Sequence, residues 1–133
     1  MDPAHPAAQA HTLAVIADVV RRYDIDGVHV DDYFYPYPIE TTAADGKTTE
    51  IPFPDNASWG AYLLRGGNLT RADWRRSHVD SFVEQLYAMV KREKKSVRVG
   101  ISPFGIGRPD RRPLGIVGFS QYDKLFADVE KWL

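Results

Sequence analysis

The stretch Asp26-Gly27-Val28-His29-Val30-Asp31-Asp32-Tyr33-Phe34-Tyr35-Pro36-Tyr37-Pro38 opens as a turn and runs into a short β-branched segment. It ends on two adjacent carboxylates followed by aromatics and prolines. Burying an unpaired carboxylate is costly, so a strand that carries two acids to its C-terminal end has a task besides packing. In α/β folds with parallel strands, that end is where ligands bind and chemistry takes place. Asp31 and Asp32 are therefore expected at the mouth of a barrel-type cleft.

The strand is expected over residues 27–31. Val28 and Val30 point to one side, and His29 and Asp31 to the other. Residues 24–27 make the tight turn into it. Before the turn, Leu13, Ile16, Ala17 and Val20 repeat at helical spacing, which predicts a helix over residues 7–23. Pro6 suits its first turn, and Arg21 and Arg22 suit the negative end of its dipole.

After the stretch, residues 33–69 form a long connection without clear periodicity. Loops this long are usually functional or disordered. Tyr33, Phe34, Tyr35, Tyr37, Phe53, Trp59 and Tyr62 lie in it, and disordered segments are poor in aromatics. Its middle, residues 41–50, is polar and reads as a mobile tip, and residues 58–64 as a short helix. Thr70 then caps a long helix with Asp73 three residues on, and Val79, Phe82, Val83, Leu86 and Val90 form its apolar stripe. The run Lys91-Arg92-Glu93-Lys94-Lys95 reads as a solvated basic helix end, since it is short and lacks interleaved aromatics.

A second strand is expected over residues 97–101, followed by a loop rich in Gly, Pro and Arg. Gly105-Ile106-Gly107 lacks the third glycine and the helix start of a dinucleotide fingerprint. A last helix is expected over residues 121–133, capped by Ser120, with Leu125, Phe126, Val129 and Leu133 on its buried face. Strands separated by helices imply right-handed crossovers and parallel pairing, an α/β class.

The 133 residues suffice for one domain with a core, and 44% hydrophobic and 26% charged residues are ordinary globular values. The net charge of −1 is not the basic footprint of a nucleic-acid binder. With no cysteine, disulfide scaffolds and Cys-ligated zinc are excluded. No apolar run approaches a membrane span, and Met1-Asp2-Pro3 lacks the start of a signal peptide.

The quoted stretch resembles the signature of the glycosyl-hydrolase-like family 10. So do Asn68-Leu69-Thr70-Arg71-Ala72-Asp73-Trp74-Arg75-Arg76 and Gly100-Ile101-Ser102-Pro103-Phe104-Gly105-Ile106-Gly107-Arg108, with Tyr122-Asp123-Lys124-Leu125 near the end. The resemblance implies a (β/α)8 TIM-type barrel glycosidase of bacterial envelopes, acting on a polysaccharide such as peptide-stripped peptidoglycan glycan. A full barrel needs roughly 200 residues or more. The chain is thus expected to be one segment, residues 1–133, of a barrel truncated at both ends, with parallel strands and a long aromatic-rich loop.

Glycoside hydrolysis commonly uses two carboxyl groups, about 5 Å apart for retention and about 6.5–9.5 Å apart for inversion. Adjacent acids on a strand face opposite ways, so Asp31 and Asp32 do not form that pair between themselves. Asp31, on the same side as His29, is favoured as nucleophile or electrostatic stabiliser, with Asp32 in support. Structural capping of turns is the alternative for both. His29 either hydrogen-bonds substrate or is a satisfied interior histidine. Tyr33, Tyr35, Tyr37 and Trp59 are candidate sugar-stacking rings, with loop packing the alternative. Asn68, Trp74 and Arg75 are candidates for the same cleft from the motif resemblance, as are Ser102 and Phe104. Arg108 pairs with an anionic sugar substituent, pairs with Asp32, or is a loop charge. A metal at His29, Asp31 and Asp32 lacks a further ligand, and no cofactor is implied. The competing functions are a non-catalytic glycan-binding module and an inactive barrel fragment. Open parallel edges predict self-association.

Overall fold

The structure, a computed structural model, describes residues 2–132. Two parallel strands, β1 (Gly27–Val30) and β4 (Arg98–Ile101), pair in the register Val28↔Val99, His29↔Gly100 and Val30↔Ile101. Between them in sequence come β2 (Ile39–Thr42), β3 (Thr48–Ile51), α2 (Asn56–Leu64) and α3 (Arg71–Glu93). Helix α1 (Pro6–Arg22) precedes β1. After β4 follow a 3-10 turn at Pro109–Arg111, the short α4 (Gln121–Lys124) and a 3-10 turn at Val129–Lys131. The α/β expectation holds in this coarse form: mixed helices and strands with a parallel pair.

Alternation along β1 explains which face is covered. Val28, Val30 and Val99 pack against Ala17 and Val20 of α1 and against Leu86, Met89 and Val90 of α3. Val20, Leu86 and Val90 are wholly buried, and truncating one such side chain costs about 2–5 kcal/mol. His29 lies on the opposite side and is exposed. There Gly100 sits across from His29, and an added Cβ would come within 3.6 Å of the imidazole Cδ2.

The helices begin and end where their sequences dictate. Pro6 occupies the first turn of α1, and Arg21 and Arg22 its last. Arg21 reaches Glu93 at 2.7 and 3.0 Å and ties the ends of α1 and α3 together. At the start of α3, the Thr70 hydroxyl accepts the Asp73 N–H at 3.1 Å and donates to the Asp73 carboxylate at 2.6 Å. That hydrogen bond, with a second from Arg76, holds Asp73 below the usual carboxylate range.

Three expectations are corrected. The connection over residues 33–69 is not loop throughout: β2 and β3 form an antiparallel hairpin in the register Ile39↔Ile51 to Thr42↔Thr48. Its turn is closed by Ala43 N–H to Lys47 O at 2.9 Å, with Gly46 at φ 81. Helix α2 begins at Asn56, two residues ahead of the expected start. The helix expected over residues 121–133 runs only through Gln121–Lys124. Phe126 takes φ 55, a left-handed conformation that ends it, and Leu125, Ala127 and Asp128 are all buried. One helix face cannot bury three positions so close in sequence. Leu133, expected on that face, lies outside the described residues.

Candidate functional site

At the C-terminal end of the parallel pair, His29 Nε2 and Ser102 Oγ lie 2.7 Å apart and join the ends of β1 and β4. Strand β1 stops at Val30, whose carbonyl accepts the Ser102 N–H at 3.0 Å. The chain then turns. Asp31 uses its carboxylate to accept the N–H of Asp32 at 3.0 Å. Asp32 accepts a short hydrogen bond, 2.5 Å, from the Tyr37 hydroxyl. That bond, with lesser help from partial burial and the negative charge of Asp32, pushes the Tyr37 hydroxyl up to about 12.

Aromatic rings surround this point. Tyr33 is 71% exposed and meets Tyr37 edge-on at 5.9 Å. Tyr37 stacks on Phe119 at 5.1 Å, and Phe119 meets Phe104 at 5.2 Å. Sequence reasoning missed Phe119. Its one signal was its place immediately before the helix cap Ser120, where apolar residues fix the entry of the chain. His29, Asp31, Asp32, Tyr33, Tyr37, Ser102 and Phe104 therefore gather at one end of the strands.

The other candidates have partners of their own. Tyr35 is 1% exposed and packs against Phe53 and Phe126. Burial pushes its phenol up, and its hydroxyl has no hydrogen-bond partner among the described residues. Arg75 is bound to buried Asp55 through two bonds of 2.7 and 2.8 Å and lies 4.7 Å over the Phe126 ring. Arg71 also reaches Asp55 and bonds Asn56 at 2.7 Å. Burial alone would raise the Asp55 carboxyl, but the hydrogen bonds from Arg75 and Arg71 outweigh it and hold it low. Trp74 is buried in a ring cluster with Trp59 at 5.2 Å and His78 at 5.1 Å. Trp59 in turn stacks on Tyr62 at 5.4 Å. The Asn68 N–H donates to the Tyr62 hydroxyl at 3.1 Å, and the Asn68 residue is exposed. Arg108 pairs with Asp110 at 3.3 Å and lies 4.5 Å over Tyr122, not against Asp32. Among the described residues, no group of His, Asp and Glu is arranged to hold a metal ion.

A parallel strand pair with a histidine, a serine and two acids at its strand ends beside an aromatic loop defines an α/β protein with a polar cluster at those ends. The chain belongs to the glycosyl hydrolase-like 10 family, whose pattern matches residues 1–133. It is 38% identical over 136 aligned positions to glycosyl hydrolase YngK of Bacillus subtilis (strain 168), covering 98% of this chain and 24% of that protein. It is 33% identical to glycosyl hydrolase DigH of Escherichia coli (strain K12), covering 100% of this chain and 28% of that protein. The chain thus spans about a quarter of the length of these relatives.

Proposed function

We propose that this chain is a segment of a (β/α)8 barrel, and that the parent protein is a glycoside hydrolase acting on a bacterial envelope polysaccharide such as peptide-stripped peptidoglycan glycan. The observation that carries the reading is the position of Asp31 and Asp32. Both follow the last residue of β1, at the end of parallel strands where barrel enzymes hold their chemistry. In this reading one acid of the Asp31–Asp32 pair acts at the glycosidic bond with the other in support, and His29 and Ser102 hydrogen-bond the sugar. Tyr33 offers it the most exposed ring, with Tyr37 and Phe104 beside it. Tyr35, Trp59, Trp74 and Arg75 shape the loop behind, and Asn68 and Arg108 lie on its margins.

Two features support the barrel. The His29 face of the strand pair is uncovered among the described residues, as the inner face of a barrel segment would be. Beside β4, a groove lined by Val83 and Tyr87 of α3, by Val99 and Ile101, and by Trp132 suits a further β/α unit. The second catalytic carboxyl then comes from another strand of the parent, whose place is the envelope or the cell exterior. The open strand edges make the isolated segment self-associate.

The test is hydrolysis of peptide-free peptidoglycan glycan by the full-length parent and its Asp31→Asn and Asp32→Asn variants. Loss of turnover in at least one variant with retained folding supports the reading. Wild-type turnover in both removes the assigned roles. A parent that binds the glycan without cleaving it is a binding module instead.

A further inference from the structure

We propose that Tyr37 is a positioning residue that holds the Asp32 carboxylate for the reaction, so that Asp32, rather than Asp31, is the acid of the pair turned to the scissile bond. This rests on the hydrolase reading above and deepens it.

The two acids are held differently. Asp31 bonds the backbone of its own loop, accepting the N–H of Asp32. Asp32 is held through a side chain: Oδ2 takes the Tyr37 hydroxyl, and nothing among the described residues hydrogen-bonds Oδ1. Each carboxylate keeps one oxygen open, but only that of Asp32 is set by a side chain braced from other loops, which is how a reacting carboxylate is kept oriented at little entropic cost.

Tyr37 is itself fixed from several directions. Pro36 and Pro38 flank it and restrict the backbone on both sides. Phe34 and Tyr35, just before, are buried in the second core cluster with Val79 and Ala127 and anchor the loop. The Tyr37 ring lies nearly parallel to Phe119, 25° between planes, and takes the edge of Tyr33 at 68°. Phe119 is braced by Phe104. Next to it, Ser120 Oγ donates to the Gly107 carbonyl at 3.0 Å, which ties the loop before α4 to the loop after β4. Three loops therefore converge on one phenol whose hydroxyl ends on Asp32. One face of the Tyr37 ring is taken by Phe119 and Tyr33 meets it edge-on, so Tyr37 is better placed to orient than to stack on sugar.

The experiment uses the full-length parent, peptide-free peptidoglycan glycan as probe, and the Tyr37→Phe variant, which keeps the ring and removes only the hydroxyl. Tyr23→Phe, at the opposite end of β1, is the control. The expected result is a kcat lowered about tenfold or more in Tyr37→Phe, with KM within about twofold of wild type. Wild-type kcat in Tyr37→Phe, or a loss confined to KM, overturns the proposal. Ring-resolved NMR of tyrosine against pH supplies a readout that needs no turnover, with the Tyr37 signals assigned by Tyr37→Phe. The Tyr37 ring is expected to titrate near pH 12 in the wild type and to fall back toward the ordinary range in Asp32→Asn. A Tyr37 ring that titrates with the exposed tyrosines in the wild type overturns the hydroxyl–carboxylate link. A parent without turnover overturns the hydrolase reading, and with it the catalytic part of the proposal, while the NMR result still decides the link.

Discussion

Arg75 of α3 holds both carboxylate oxygens of Asp55, the residue just before α2, at 2.7 and 2.8 Å. The Asp55 side chain has 0% exposure and that of Arg75 only 14%. This pair fastens the connection that follows the hairpin to the longest helix, and Arg71 adds a second guanidinium to the same acid. Removing one partner of a buried pair leaves an uncompensated charge, at a cost of about 3–5 kcal/mol. Asp55→Ala, which leaves both arginines unpaired, is expected to lower stability by that amount in denaturant unfolding followed by circular dichroism. A loss below about 1 kcal/mol would show that solvent replaces the pair.

The same acid sets the response to low pH. Asp55 is held below its ordinary value of 3.8 in the folded chain, the arginine hydrogen bonds overcoming the opposing effect of burial. A depressed carboxyl stabilises the fold above its unfolded value, and the contribution is lost as pH falls through the folded one. Asp73, bonded by Thr70 and Arg76, acts with the same sign. Thermal midpoints are thus expected to fall as pH drops below about 4. Asp55→Asn, though less stable at neutral pH, should show a shallower fall. An equal slope in both proteins would remove Asp55 from the acid response.

Two glycines of the same connection separate close packing from backbone freedom. A Cβ at Gly67 would collide with the Tyr62 ring, whose hydroxyl accepts the N–H groups of Asn68 and Leu69 at 3.1 and 3.0 Å. Gly67→Ala is expected to cost about 1–3 kcal/mol through that overpacking. Gly60 lies inside α2 with open space at its Cβ position, so Gly60→Ala is expected to stabilise by about 0.5–1 kcal/mol. Differential scanning calorimetry of the two variants measures both signs. Equal shifts would show that the Tyr62 contact carries no strain.

The open edges of the β1–β4 pair predict self-association. The isolated segment is expected to form dimers or larger species as concentration rises, read by light scattering. A monodisperse monomer at high concentration would contradict it.

Much of this fold could be read in the sequence, and what could not has physical causes. The helical repeat of Leu13, Ile16, Ala17 and Val20 marks α1 because that stripe meets α3 in the core. The hairpin escaped because all eight residues of β2 and β3 are exposed, so no hydrophobic alternation marks them. Its real signals were β-branched Thr41, Thr42, Thr48 and Thr49 around the Asp45-Gly46 turn. The last helix is shorter than its spacing implies because Leu125, Phe126 and Val129 imitate a helical stripe that the left-handed Phe126 breaks. In the candidate site, strand alternation put His29 on the face away from α1 and α3, but β1 ends at Val30, so alternation does not reach Asp31 and Asp32. It could not show that Arg75 belongs to Asp55, or that Tyr37 and Phe119, far apart in sequence, stack face to face. Such pairings are set by tertiary approach, which spacing along one chain does not encode.

The central claim is that the acids at the end of β1 break a glycosidic bond. Release of soluble fragments from peptide-free peptidoglycan glycan by the full-length parent and its Asp32→Asn variant tests it most directly. The account predicts turnover by the parent and a loss of at least about a hundredfold in Asp32→Asn, with glycan binding retained. Equal rates in the two proteins, or no cleavage by the parent, would contradict it.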